Sequence, residues 1–263
     1  MTDPAHSAPL SGRCPWCRGT QARTLHHIAA WDIRQCATCG LARIDPYPAL
    51  ESRPAFYSAD AIEERRVRKR RGPGGRFAAW LRHWLRRLSG RTKGTLFLRE
   101  LARRKPPGAR VLDIGCGTGA FLRDARAHYR CTGIEISEHL AGEARKLGVE
   151  VVVGNFCDYP FGARRFDAIT MISLIEHLHT PREALARCHA LLEDGGALLL
   201  KTVNHGGLNR RLLGDRWSGY RPPDHLVYFD PSTLRQALRE IGFRDITVRA
   251  PWFNDSFYCF AVK

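Results

Sequence analysis

From Arg110 onward, short apolar runs alternate with stretches in which apolar residues recur every three or four positions. The runs at 110–114, 131–136, 150–153, 166–172 and 197–203 predict buried strands. The stretches at 119–128, 138–147 and 182–193 predict the helices between them. Such alternation makes a parallel sheet covered on both faces, whose strands can be apolar throughout because neither face meets water. A helix over 231–241 and strands over 243–249 and 256–262 follow a long loop that opens after the fifth strand. A loop of this length in a compact domain is usually functional. No internal repeat is visible.

Before Arg110 the pattern changes. Phe77, Trp80, Leu81, Trp84, Leu85 and Leu88 fall at helical spacing, with Arg76, Arg82, His83, Arg86 and Arg87 on the other faces. This predicts an amphipathic helix over 76–91, either a lid packed beside the site or an element lying on an anionic membrane surface. The run Arg65-Arg66-Val67-Arg68-Lys69-Arg70-Arg71 precedes it and is broken by Gly72-Pro73-Gly74-Gly75. Three regions follow from these shifts: 1–57, a basic connector with the helix over 58–105, and the α/β domain over 106–263.

The first strand of that domain runs into Asp113-Ile114-Gly115-Cys116-Gly117-Thr118-Gly119, and the second ends on Glu135. Glycines let the backbone turn sharply and approach a ligand. An acid at the next strand end can accept from both hydroxyls of a ribose. A dinucleotide pyrophosphate favours G-x-G-x-x-G with helix N–H groups facing the anion. Here the spacing is G-x-G-x-G and Asp113 precedes it, which suits a cationic ligand such as S-adenosylmethionine.

With GIEIS, FDAI, IEHL and LLEDGGALLL, the motif VLDIGCGTG resembles the class I S-adenosylmethionine-dependent methyltransferases from about Gly108 to the C-terminus. The resemblance implies a doubly wound, seven-stranded, mostly parallel Rossmann-like sheet closed by an antiparallel hairpin. It implies that Gly115, Cys116, Gly117 and Gly119 approach the methionine part, with Asp113 orienting the loop and the ammonium. It implies that Glu135 and Ile136 take the ribose, that Asn155 (or in its place Asp158) and Phe156 flank the adenine, and that Met171, Ile172 and Ser173 border the adenine or methyl group.

On the acceptor side the chemistry needs alignment, water exclusion and, for a hydroxyl or carbon acid, a base. His177 follows the fourth strand in Ile175-Glu176-His177-Leu178. His225, with Asp224 beside it, lies in the long loop, which also carries Asn204, His205, Trp217, Tyr220 and Tyr228. His225 is the expected base and His177 its alternative, with Asp224 orienting the imidazole. Trp217, Tyr220, Tyr228 and His205 are the expected substrate lining. The P-x-HL-x-x-F segment is similar to one in bacterial sugar C-methyltransferases, where the matching histidine is implicated as base. The resemblance does not extend to the C-terminal domain those enzymes carry. Quinone O-methyltransferases share the Glu-His segment and can hold a divalent metal there. Without a fuller acidic cluster, no metal is expected at Glu176 and His177.

Cys14-Pro15-Trp16-Cys17 and Cys36-Ala37-Thr38-Cys39 form two C-x2-C pairs with ribbon spacing. Four thiolates from Cys14, Cys17, Cys36 and Cys39 close a tetrahedron, so a structural zinc is expected in a segment too small for its own core. The remaining cysteines fall in or beside predicted elements and read as buried small residues.

Nine cysteines with no export signal place the expected compartment in the cytoplasm. The net charge of +16 favours an acidic partner: an anionic small molecule, nucleic acid or an anionic membrane surface. The leading expectation is methyl transfer to an oxygen or carbon of a glycan, lipid or secondary-metabolite precursor. An RNA methyltransferase using the ribbon and the basic run is the first alternative, and a non-catalytic binding or scaffold protein the second.

Overall fold

The computed structural model describes residues 12–48, 93–251 and 254–263. The basic run at 65–71 and the amphipathic stretch at 76–91 lie outside the described residues.

Five parallel strands form the centre of the molecule: β4 (Arg110–Ile114), β5 (Arg130–Glu135), β6 (Glu150–Val153), β7 (Phe166–Ile172) and β8 (Leu192–Val203). With β10 (Arg244–Arg249) and β11 (Ser256–Val262) they make a seven-stranded sheet in the order β10-β11-β8-β7-β4-β5-β6, in which β11 runs antiparallel to both neighbours. The order reverses beside β4, so the carboxyl ends of β4, β5 and β7 border one crevice. The fifth parallel strand starts five residues earlier than its apolar run, because Leu192 pairs with Phe166 ahead of the Gly195-Gly196 irregularity.

Among the described residues the α-helices are α1 (Lys93–Ala102), α2 (Ala120–Ala125), α3 (Glu138–Arg145), α4 (Pro181–Leu191), α5 (Leu208–Leu213) and α6 (Pro231–Ile241). α6 begins on a capping box, with Asp230 accepting from the backbone N–H groups of Ser232 and Thr233 and Thr233 Oγ1 accepting from that of Asp230. Within α1, Phe97 and Leu101 are fully buried, and Phe97 meets Phe121, Tyr258 and Phe260 edge-on or tilted. α1 therefore belongs to the core of the α/β fold. The connector expected over 58–105 overruns by this helix, whose apolar face the sequence pattern did not separate from the basic stretch.

The N-terminal residues form an antiparallel sheet of β1 (Ala22–Ile28), β2 (Trp31–Cys36) and β3 (Ala42–Asp45). Its fourth strand comes from far along the chain: β9 (Val227–Tyr228) pairs with β3 through Ala42↔Tyr228 and Arg43↔Val227. Trp16 donates its indole N–H to Glu240 at 2.9 Å and packs edge-on against Phe229. The buried residues of this sheet join the main core cluster. The described part of the region expected at 1–57 thus shares one hydrophobic core with the α/β domain expected at 106–263.

The long loop is also structured. It contains α5, a 3-10 turn at Gly214–Arg216 and β9. Asp255 fastens it, accepting from the Trp217 indole at 2.8 Å, the Asn209 amide at 3.1 Å and the Ser218 hydroxyl at 3.2 Å. Among the described residues no helix is long and apolar enough to cross a membrane.

Candidate functional site

A cavity of about 290 Å³ opens at the carboxyl ends of β4, β5, β6 and β7. Gly115, Glu135, Ile136, Asn155 and Phe156 line one side, and Ser173, Leu174, His177, Leu178, Arg221 and Asp224 the other.

Of the glycine turn, Gly115 lines the cavity, while Gly117 and Gly119 lie outside its wall. Gly115, Gly117 and Gly119 have φ of 67°, 56° and 76°, the left-handed region that side chains with a Cβ resist. A Cβ on Gly117 would meet nothing within 4 Å, so the backbone there is open to a ligand, whereas one on Gly119 would strike Leu147 at 2.6 Å. Gly117 N–H donates to Glu135 Oε2 at 2.9 Å and Ser137 N–H to Oε1 at 3.0 Å. Two backbone donors thus fix the carboxylate, whose remaining lone pairs can accept two further hydroxyl protons.

Several expected cofactor residues stand behind this surface and not on it. Cys116 is buried, with its sulfur 2.8 Å from where a Gly133 Cβ would be. It acts as a spacer between β4 and β5, and burial pushes its thiol pKa up. Asp113 is buried beneath the turn and accepts from Thr170 Oγ1 at 2.6 Å. Burial pushes its pKa up to about 7, the Thr170 hydrogen bond pulling down and the Glu135 charge pushing up. Ile172 does not line the cavity; Ser173 and Leu174 do. Ser173 takes a φ of 56°, held by its N–H to Lys201 O at 2.8 Å and by Lys201 Nζ donating to its hydroxyl at 2.5 Å. That kink carries Leu174 to within 3.0 Å of a Cβ built on Gly115. Asn155 lines the cavity, but its carbonyl oxygen accepts from Cys157 N–H at 3.2 Å and its amide nitrogen donates to Asp158.

The two candidate bases trade places. His177 lines the cavity, and its Nδ1 lies 2.7 Å from the Asp224 backbone oxygen. A carbonyl only accepts, so Nδ1 carries the proton and Nε2 keeps the lone pair of the neutral ring. Burial disfavours the charged ring, but the Asp224 side chain and the Glu176 charge outweigh it and raise the His177 pKa above its ordinary value. His225 sits behind this wall, 4% exposed, with Nδ1 on Gly219 O at 2.8 Å and its ring edge-on to His177 at 4.8 Å. Burial, then the neighbouring His177 and Arg221, push its pKa down to about 3, which makes it a weak base. His225, the first expected base, thus stands behind the cavity wall, and His177, its alternative, stands on it. Sequence position put both histidines near the mouth, and burial separates them.

The residues expected to line the substrate lie elsewhere than on this cavity. Trp217, Tyr220, Tyr228 and His205 are buried and absent from the cavity wall. Tyr220 meets Trp217 at 5.0 Å and Tyr228 at 5.2 Å, both edge-on, and its hydroxyl lies 2.9 Å from His205 Nε2. These rings brace the loop against the N-terminal sheet. An aromatic and polar mix reads the same in sequence whether it lines a pocket or fills a small core. Arg221 and Leu174 went unmarked in the sequence; the i, i+3 pairing of Arg221 with Asp224 was the available signal.

Among the described residues, two groups of side chains could hold a metal. Cys14, Cys17, Cys36 and Cys39 bring their sulfurs within 4.8 Å of one another, with Cys14–Cys39 and Cys17–Cys36 both at 3.5 Å. Tetrahedral Zn–S bonds of about 2.3 Å imply sulfurs roughly 3.8 Å apart, so the four residues fit a zinc ion. Glu176, His177 and His225 also offer ligand atoms within 4.8 Å of one another, because folding places His225 beside a pair that the sequence left alone. Glu176 accepts from Thr202 Oγ1 at 2.8 Å.

Comparison with known proteins adds the following. A family profile described as a methyltransferase domain matches residues 81–248. A ubiquinone biosynthesis O-methyltransferase of Coxiella burnetii is 34% identical over 156 residues, which is 53% of this chain and 66% of that enzyme. A second, from Xanthomonas axonopodis, is 36% identical over 113 residues, 39% of this chain and 46% of the enzyme. The match to these two relatives thus spans less than two thirds of their length. Among solved structures, the magnesium protoporphyrin IX methyltransferase of Synechocystis with bound SAH superposes with a TM-score of 0.59 at 17% identity, covering 80% of this chain and 97% of that one. At that identity the likeness shows the fold.

Proposed function

The chain belongs to the methyltransferase domain family, and on that premise we propose that it transfers a methyl group from S-adenosylmethionine to an oxygen or carbon of a small-molecule acceptor. The observation that carries this reading is Glu135, which lines the cavity and whose carboxylate is fixed by two backbone N–H groups, one of them from the glycine turn. When bound, S-adenosylmethionine supplies an electrophilic methyl on a sulfonium. Gly115 and Gly117 would take its methionine part, Glu135 the ribose hydroxyls, and Ile136 and Phe156 the adenine faces. Across the cavity, His177 accepts the acceptor's proton at Nε2 while the Asp224 carbonyl holds Nδ1–H. Leu174 and Leu178 exclude water from that end. The relatives named as O-methyltransferases support oxygen as the target.

Supplying the protein with methyl-labelled S-adenosylmethionine and a fractionated small-molecule extract should place the label in a low-mass product. Label found in RNA alone, or in no product although the cofactor binds, would reject this reading for the nucleic-acid or non-catalytic alternative.

The N-terminal cysteines are proposed to hold one structural zinc, and the hydrogen bonds tie that site to the cavity. Ile44 N–H donates to Leu226 O at 3.0 Å, and Leu226 N–H donates to Glu176 O at 2.7 Å. The sheet carrying Cys36 therefore supports the backbone flanking His177 and Asp224. Cys36→Ser should cut zinc content from about one ion per chain and lower turnover, while S-adenosylmethionine affinity stays within a few-fold. Metal analysis that finds no zinc in protein prepared under reducing conditions would remove the ribbon. Unchanged turnover in the metal-depleted variant would remove the coupling.

A further inference from the structure

We infer that Arg221 selects the acceptor, and that the acceptor is a largely apolar molecule carrying one oxyanion, a carboxylate or a phosphate. The inference rests on the methyltransferase reading above and names the substrate class of that same site.

Among the described residues lining the cavity, Arg221 is the one lysine or arginine, and it stands on the His177 side. Its side chain is half exposed, so the guanidinium sits at the mouth and not in a closed core. Asp224 engages one edge through Nη2. A guanidinium presents five N–H donors in a planar fork, and no other acceptor among the described residues engages Nε or Nη1. Asp224 thus orients the group without using its donors up. A planar fork with open donors is matched by an oxyanion, which can accept two parallel hydrogen bonds from it.

The backbone of Arg221 is fixed from behind. His225 N–H donates to Arg221 O at 2.9 Å, and Tyr228 O–H donates to His225 O at 3.0 Å. The His225 ring is locked to Gly219 O. The buried histidine that does not reach the cavity therefore positions the residue that does. The same cavity is lined by Leu174 and Leu178, which give it an apolar surface. An acceptor seated there would lay an apolar body on the leucines and direct an acidic group to Arg221. His177 lies on the same side as the proton acceptor.

The test uses the full-length protein saturated with S-adenosylhomocysteine and three probes that share a phenyl ring: benzoate, phenyl phosphate and the neutral benzamide, the last matching benzoate in shape. A charge-assisted pair is worth about tenfold in affinity, so at least one of the two anions should bind about tenfold tighter than benzamide. The better anion identifies carboxylate or phosphate as the group the site prefers. Arg221→Gln should erase the preference and leave benzamide affinity within twofold, and Arg221→Lys should restore part of it as a point charge without the fork. Equal affinity for all three probes, an anion preference that survives Arg221→Gln, or no probe binding at all would each overturn the inference. Thermal unfolding of the variants tells whether Arg221 only clamps Asp224: a lowered Tm with no loss of anion preference also overturns it. Failure of S-adenosylhomocysteine itself to bind removes the methyltransferase reading and this inference together. Cofactor binding without anion discrimination removes this inference alone.

Discussion

Replacing Glu135 with alanine should weaken S-adenosylmethionine binding by roughly 30-fold or more, about 2 kcal/mol, since a charged acceptor facing two hydroxyls is lost. The carboxylate also receives Gly117 N–H and Ser137 N–H, so its removal frees the turn on which the methionine part would rest. Both effects act in the same direction. The sheet should survive, because the β4–β5 ladder runs through backbone groups from Arg110 to Ile114 and does not use this side chain. Glu135→Gln keeps one carbonyl acceptor and should fall between wild type and alanine. Calorimetry on the three proteins, with circular dichroism as the control for folding, checks the series. An alanine variant that binds as tightly as wild type would withdraw the cofactor assignment.

His177→Ala should reduce turnover by roughly 10²–10⁴, the usual worth of a positioned general base, while cofactor affinity stays within a few-fold. The neutral ring is the active form. Because its pKa is raised, turnover should fall as pH drops through a value above the ordinary histidine range, and that limb should vanish in the variant. His225→Asn gives the contrast. The asparagine amide can still donate to Gly219 O, so turnover should remain within about tenfold of wild type. The cost should appear as lowered thermal stability, since a packed ring is lost from a buried site. A His225→Asn variant that folds normally yet loses turnover as His177→Ala should would return the base role to His225.

The division between what was legible in the chain and what was not follows the reach of the interactions involved. Alternating apolar runs and helical stretches are local, and five parallel strands with their helices could be read from them because burial on both faces leaves a continuous apolar signal. The glycine turn and Glu135 were legible for the same reason: positive φ at Gly115, Gly117 and Gly119, and an acid at a strand end, are demands that a short segment makes on its own residue types. The two cysteine pairs likewise carry their geometry in their spacing. The acceptor side had no such local signature. Whether His177 or His225 faces the cavity depends on two strand residues, Val227 and Tyr228, joining a sheet built about 180 positions earlier in the chain, and pairings across that distance leave no periodicity to read. The same pairing buries Trp217, Tyr220, Tyr228 and His205, whose composition alone fits a pocket or a core equally well. The sequence by itself therefore determined the sheet, the turn and the carboxylate that would hold the cofactor, since each is encoded within a few residues. Only the tertiary structure decided which imidazole and which guanidinium face the cavity, because burial and long-range pairing choose among side chains that are chemically alike.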